Sequence, residues 1–154
     1  MSDVVLLDTS IFCELLKVPT KHDRTDRNGI VRTFHDGHRD GWVYLLPLAT
    51  VIETGNHIGQ VRDGTLRRAC AERFVDAIEH ALNDRAPWSL AAPIDRDGLQ
   101  TLLARFTEWA TREEAGLGDL TIVGEWERQH LLHPNRRVRI WSLDKHLQAR
   151  DSHY

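Results

Sequence analysis

Residues 4–10 read Val4-Val5-Leu6-Leu7-Asp8-Thr9-Ser10, and the order of those side chains sets the expectation for the whole chain. Four apolar residues in a row, without alternation, are the pattern of a strand buried on both faces, as parallel strands of α/β proteins are. An acid follows at once. Two hydroxyl residues of the kind that open helices come next, and Ile11 to Lys17 continue as a helix until Pro19 stops it. The stretch predicts strand, tight turn, helix, with Asp8 at the carboxyl end of the strand.

The same order returns further along the chain. Trp42 to Leu46 is a second β run leading through Pro47 into Ala49-Thr50-Val51-Ile52-Glu53. There Thr50 and Glu53 fit the S/T-x-x-E capping box, which predicts a helix starting at that point, with Glu53 in its first turn, and continuing past His57. Val138 to Trp141 is a third β run, followed by Ser142-Leu143-Asp144 as a turn and Lys145 to Arg150 as a last helix. Between these units a short surface helix is expected around Ile30, Val31 and Phe34. An amphipathic helix is expected through Leu66, Cys70, Phe74, Ile78 and Leu82. After a loop around Pro87 and Pro93, Leu99, Leu102, Leu103, Phe106 and Ala110 recur at helical spacing. Gly116 and Gly118 break that pattern before Asp119 opens another helix, to about Leu131. Strands alternating with helices predict an α/β chain with a mainly parallel sheet covered on both faces, residues 1–154 forming a single domain.

Composition agrees with one ordinary globular domain: 154 residues, 41% hydrophobic and 28% charged, within the usual size of a domain and unlike a disordered chain. The longest apolar stretch, Trp42 to Ile52, is broken by Pro47 and Thr50 and falls short of the roughly 20 residues of a membrane span. The first residues lack the pattern of a signal peptide. Cys13 and Cys70 are isolated thiols without CxxC spacing, so the expectation is a reduced, cytoplasmic protein with no membrane partner. The balance of 20 basic against 23 acidic residues, a formal charge of -3, argues against a simple basic clamp on nucleic acid.

Asp8, Glu53, Asp119 and Asp144 each stand at a strand exit or a helix opening. Parallel sheets bind ligands outside the carboxyl ends of their strands, where the strand order reverses, so neighbouring strands would gather these acids in one pocket. Two like charges about 4 Å apart repel by about 4 kcal/mol at an effective dielectric near 20. Protonation or divalent cations relieve that repulsion. Oxygen ligands without His or Cys suit Mg²⁺ or Mn²⁺, and a pair of such ions promotes phosphodiester hydrolysis. Each acid also has a plainer role open to it: Asp8 as a helix cap beside Ser10, Glu53 as the partner of Thr50, Asp119 as an acid at a helix dipole, and Asp144 as a turn residue.

The ordered segments Val4 to Ser10, Pro47-Leu48-Ala49-Thr50-Val51-Ile52-Glu53, Gly118-Asp119-Leu120-Thr121-Ile122 and Arg139-Ile140-Trp141-Ser142-Leu143-Asp144 together resemble the motifs of PIN-domain ribonucleases, VapC-like toxins among them, over residues 3 to about 150. The resemblance implies a three-layer α/β/α sandwich with a central, mainly parallel sheet, and a metal-dependent endoribonuclease that hydrolyses RNA phosphodiester bonds with Mg²⁺ or Mn²⁺. Carried over position by position, Asp8, Glu53, Asp119 and Asp144 become the catalytic and metal-binding quartet, with Ser10 and Ser142 as its supporting hydroxyls. A cognate antitoxin and self-association as a homodimer are further implications. The chain departs from the pattern in its long 20–41 stretch, its long segment between Glu53 and Asp119, and in Val123-Gly124-Glu125-Trp126, where Glu125 is a candidate extra ligand.

Outside the quartet, Asn56 and His57 follow Glu53 by about one turn and are candidates to line the pocket. Lys17, Arg24, Arg27 and Arg32 flank the first strand–helix junction and are candidate RNA phosphate contacts, as are Arg136, Arg137 and Arg139 before and within the last strand. Trp88, in a Pro-flanked loop, is expected to be an exposed base-stacking residue, and Trp42, Trp109, Trp126 and Trp141 to pack in the core. The other histidines, His146 among them, read as surface residues. The competing reading is a catalytically silent PIN-type fold that binds RNA or protein. A dehalogenase-type phosphatase would want an acid where Ser10 stands, and a receiver domain would want an acidic pair on the first strand; neither is present.

Overall fold

The computed structural model describes residues 2–20, 26–113, 115–148 and 150–152. Its framework is a five-stranded sheet with the order β3-β2-β1-β4-β5. The strands are β1 (Val4–Leu7), β2 (Val43–Leu46), β3 (Trp88–Leu90), β4 (Val138–Trp141) and β5 (Asp151–Ser152). The first four run parallel, and β5 pairs antiparallel with β4. Among the described residues the helices are α1 (Thr9–Leu16), α2 (Arg27–Arg39), α3 (Leu48–Gly59), α4 (Gly64–Leu82), α5 (Arg96–Arg112), α6 (Leu117–Leu132) and α7 (Lys145–Gln148). No helix among them is long and apolar enough to cross a membrane.

β1 has strands on both sides and helices on both faces, which is why its four residues are apolar without alternation and all buried. Its side chains point alternately to two cores. Val5 and Leu7 join Phe12, Phe34, Tyr44, Leu46, Ile58 and Cys70 on one face. Val4 and Leu6 join Leu102, Trp109, Leu120, Ile122, Val123, Val138 and Ile140 on the other. Each such fully buried aliphatic or aromatic side chain contributes about 1.5–3 kcal/mol of transfer free energy. Burial pushes the Cys13 thiol up to about 12, and both cysteines are free and buried.

From β1 the chain adds β2 and then β3 on one side, and afterwards crosses back to lay β4 on the other side of β1. The strand order thus reverses between β1 and β4, the position where open α/β sheets bind ligands. Asp8 follows β1 and Asp144 lies three residues after β4.

Several local expectations are corrected. The Pro87–Pro93 segment contains β3, whose Tyr44–Trp88 and Leu46–Leu90 pairings extend the sheet. Trp88 is half-buried, edge-on to Phe12 at 5.3 Å and tilted against Phe34 at 5.6 Å, so it is a packing residue and not an exposed stacker; the apolar ring is drawn under α2 and α4. The predicted short helix around Ile30 is the 13-residue α2, anchored by buried Ile30 and Phe34. Thr50 and Glu53 do not form a capping box. α3 begins at Leu48, directly after Pro47 and without a side-chain cap bond, and the fixed φ of proline suits a helix entry. Glu53 therefore lies in the second turn.

Candidate active site

Asp8 is the N-cap of α1 by position, yet its carboxylate makes no cap bond. It is 2% exposed and turned sideways. Ser10 Oγ donates to its Oδ2 at 2.9 Å and Ser142 Oγ donates to the same oxygen at 2.7 Å. The two hydroxyls are themselves fixed by backbone donors: Leu143 N–H gives to Ser10 Oγ, and Asp144 N–H to Ser142 Oγ, both at 2.9 Å. The β1–α1 and β4–α7 junctions are therefore tied together through one carboxylate oxygen. Burial pushes the Asp8 carboxyl above its ordinary value, the Ser142 and Ser10 hydroxyls partly offset this, and the Asp144 charge adds to the rise.

Glu53 arrives from α3. Thr50, one turn earlier on the same helix face, is fully buried and donates from Oγ1 to the carbonyl of Leu7 at 2.7 Å. That bond sets α3 against the end of β1. Thr9 Oγ1 donates to Glu53 Oε2 at 3.2 Å. Burial is the largest cause that raises the Glu53 carboxyl; Thr9 opposes it, and the charges of Asp119, Asp8 and Asp144 raise it further. All three other acids thus act on Glu53. Asp119 lies in the first turn of α6, directly after Gly118. A Cβ at Gly118 would overlap Glu53 Oε1, so the missing side chain is what lets α3 and α6 bring their acids together.

The sequence reading missed two residues here. Thr9 reads as a helix starter, but its hydroxyl serves Glu53. His146 reads as surface, but it is only 34% exposed and its Nε2 donates to Asp119 Oδ2 at 2.8 Å. Its place two residues after Asp144, on a helix that begins at the site, is the signal that could have flagged it. Among the described residues, no three His, Cys, Asp or Glu side chains stand at the mutual spacing of a preformed metal cage. A groove of about 460 Å³ is lined by Leu48, Ala91, Ile94, Leu102, Arg105 and Thr121 among others. None of its lining residues belongs to the quartet.

The remaining candidates lie apart. Asn56 is exposed and makes no hydrogen bond to the four acids. Glu125 is held by Arg128 at 2.8 and 3.0 Å and by Gln129 at 2.8 Å, within its own helix. Lys17 is exposed at the end of α1 and Arg32 is exposed on α2. Arg27 Nε pairs with the buried Glu14 at 2.8 Å, and Arg24 lies outside the described residues. Arg136 and Arg137 sit at the opposite, amino end of the sheet, where Arg136 binds the Ser2 carbonyl at 2.8 Å and Arg137 faces Asp3 at 3.7 Å. Arg139 lies within β4, over the Trp42 ring at 4.3 Å. Those three hold the start of β1 and are too far round the sheet to meet a phosphate at the acids.

The class defined by this topology is a three-layer α/β/α sandwich on a central, mainly parallel sheet. Among solved structures it is similar to a chain in the crystal structure of FitAcB from Neisseria gonorrhoeae, with a TM-score of 0.53 and 16% identity over 91% of this chain and 87% of that one. At that identity the likeness establishes the fold. No protein-family model matches the chain, and no curated protein matches it.

Proposed function

We propose that this chain is a Mg²⁺- or Mn²⁺-dependent endoribonuclease of PIN type, acting as the toxin of a toxin–antitoxin pair and associating with itself. The observation that carries the reading is the gathering of acids from four separate junctions at the carboxyl edge of the sheet, where Asp119, Asp8 and Asp144 each oppose ionisation of Glu53. Oxygen donors alone suit a hard divalent ion, and a carboxyl such as Glu53, raised by burial and by neighbouring acids, gains from neutralisation by one. Such an ion, when bound, activates water and stabilises the leaving oxygen of a phosphodiester.

The chain's own part is to hold and orient. Asp8, Glu53, Asp119 and Asp144 would hold the ion. Ser10 and Ser142 restrain Asp8, and Thr9 restrains Glu53, each by one oxygen. Exposed Lys17 and Arg32 are the proposed phosphate contacts, with Arg24. Lys17 follows an eight-residue helix, about 14 Å along its axis from Asp8. With four of its 23 acids neutralised as ligands, the chain no longer presents a net acidic surface to a polyanion.

Purified protein should cut RNA with Mn²⁺ or Mg²⁺, and EDTA or Asp8→Asn should stop it. Cleavage that survives both overturns the metal mechanism. Expression should arrest growth and Asp119→Ala should relieve the arrest; harmless expression of active enzyme counts against a toxin. The second reading is a silent RNA- or protein-binding module. RNA binding without cleavage of any RNA pool at millimolar Mn²⁺ would support that reading.

A further inference from the structure

We propose that His146 is a positioning residue for Asp119, holding one oxygen of that carboxylate so that the other is presented to a divalent cation, an inference that rests on the metal-dependent reading above and deepens it. Three of the four acids share one arrangement. Asp8 gives Oδ2 to the hydroxyls of Ser10 and Ser142. Glu53 gives Oε2 to the hydroxyl of Thr9 at 3.2 Å. Asp119 gives Oδ2 to Nε2 of His146 at 2.8 Å. In each case a donor from another element takes one oxygen of the carboxylate: the segment after β4 serves Asp8, which Ser10 of α1 also holds, α1 serves α3, and α7 serves α6. Because a carboxylate only accepts, Nε2 carries the hydrogen in this contact.

His146 is well placed to act as a fixed support. α7 is short, but its Leu147 is fully buried, and Gln148 Nε2 donates to the carbonyl of Ser142 at 3.1 Å. The helix is thus pinned to the same Ser142 that restrains Asp8. The terminal torsion of an aspartate is broad, so an Asp119 without this donor would sample several orientations in the first turn of α6. Partners that orient metal-binding groups in this way typically change metal affinity by 10–100-fold when removed.

The test is calorimetric titration of Mn²⁺ into wild type, His146→Ala, His146→Phe (which keeps a ring without the donor) and His146→Gln (which keeps an N–H), with cleavage followed against Mn²⁺ concentration. The two donor-less variants should bind Mn²⁺ about tenfold more weakly or worse. They should need correspondingly more Mn²⁺ for half-maximal cleavage, while the rate at saturating Mn²⁺ falls much less. His146→Gln should recover most of the affinity, which a merely structural role would not require. Melting without metal identifies the folded variants. Unchanged affinity in a folded donor-less variant overturns the proposal, and tighter affinity overturns it by showing that His146 shields Asp119. If wild type binds no Mn²⁺ at millimolar concentration, the metal reading falls and takes this inference with it. If wild type binds and the donor-less variants match it, only the role of His146 falls.

Discussion

Asp26, Asp63 and Asp95 precede α2, α4 and α5 just as Asp8 precedes α1, and the two regions use the same residue in opposite ways. The three outer aspartates are exposed, and each carboxylate accepts from a backbone N–H of its own helix: Gly29 at 3.0 Å, Leu66 at 2.7 Å and Gly98 at 2.7 Å. Asp8 is buried and makes no such bond to the residue three positions on; from the α1 backbone only the adjacent Thr9 N–H acts on its carboxyl. Its oxygen is taken by hydroxyls of α1 and of the segment after β4. A capping carboxylate stays solvated and serves the local helix. At the carboxyl edge of the sheet the carboxylate is withdrawn from water and joins another element, at a cost in ionisation.

The sharpest way to break this contrast is to neutralise one acid of each kind. Asp8→Asn should reduce metal-dependent RNA cleavage to background in a gel assay while circular dichroism stays native. A near-wild-type rate would put Asp8 back among the caps. Gly118→Ala comes next. The added Cβ displaces the flexible end of Glu53, so cleavage should fall steeply and Mn²⁺ affinity with it, while the melting temperature moves little because alanine suits a helix better than glycine. An active Gly118→Ala enzyme would show that Glu53 need not lie against α6.

Metal addition should stabilise wild type by about 2.7 kcal/mol at a hundred times the dissociation constant, read as a rise in Tm that Asp8→Asn does not show. A smaller effect tests the ionisation cost itself. The folded-state pKa of Asp8 is raised above its ordinary value of 3.8, so its contribution is most favourable below that value and is lost as pH rises through the folded pKa. Without divalent ions, Asp8→Asn should therefore melt above wild type at pH 7, and the gap should close as pH falls below 3.8. A gap that widens on acidification contradicts the assigned direction. Smallest is Asp63→Ala, which removes the cap bond of α4 and should cost about 1 kcal/mol, a Tm loss of roughly 2–4 °C, with cleavage unchanged.

Much of the fold was legible in short runs. Val4 to Leu7 marked the central strand because a strand covered on both faces must be apolar throughout, and Val138 to Ile140 with Trp141 marked its neighbour for a related reason. β3 was missed because Trp88-Ser89-Leu90 is short, lies near Pro87 and Pro93, and depends on pairing with β2. The helix entry at Pro47 was misread because Thr50-x-x-Glu53 satisfies a local rule, while Thr50 in fact spends its hydroxyl on Leu7 of a different element. His146 was passed over because nothing in its neighbours along the chain points to a residue 27 positions earlier. Arg136 and Arg137 looked available for phosphate because sequence distance from Asp144 is small; the length of β4 carries them to the other end of the sheet.

The sequence by itself determined the alternation of buried strands and helices and set four acids at the boundaries between them, because burial on two faces and helix entry both leave marks within a few residues. Only the tertiary structure decided that Asp8 joins Ser142 of a distant segment, that Thr9 and His146 hold acids on other elements, and that Gly118 admits Glu53. Those assignments depend on which side chains from distant segments come within about 3 Å of one another, and strand order and helix packing set that proximity.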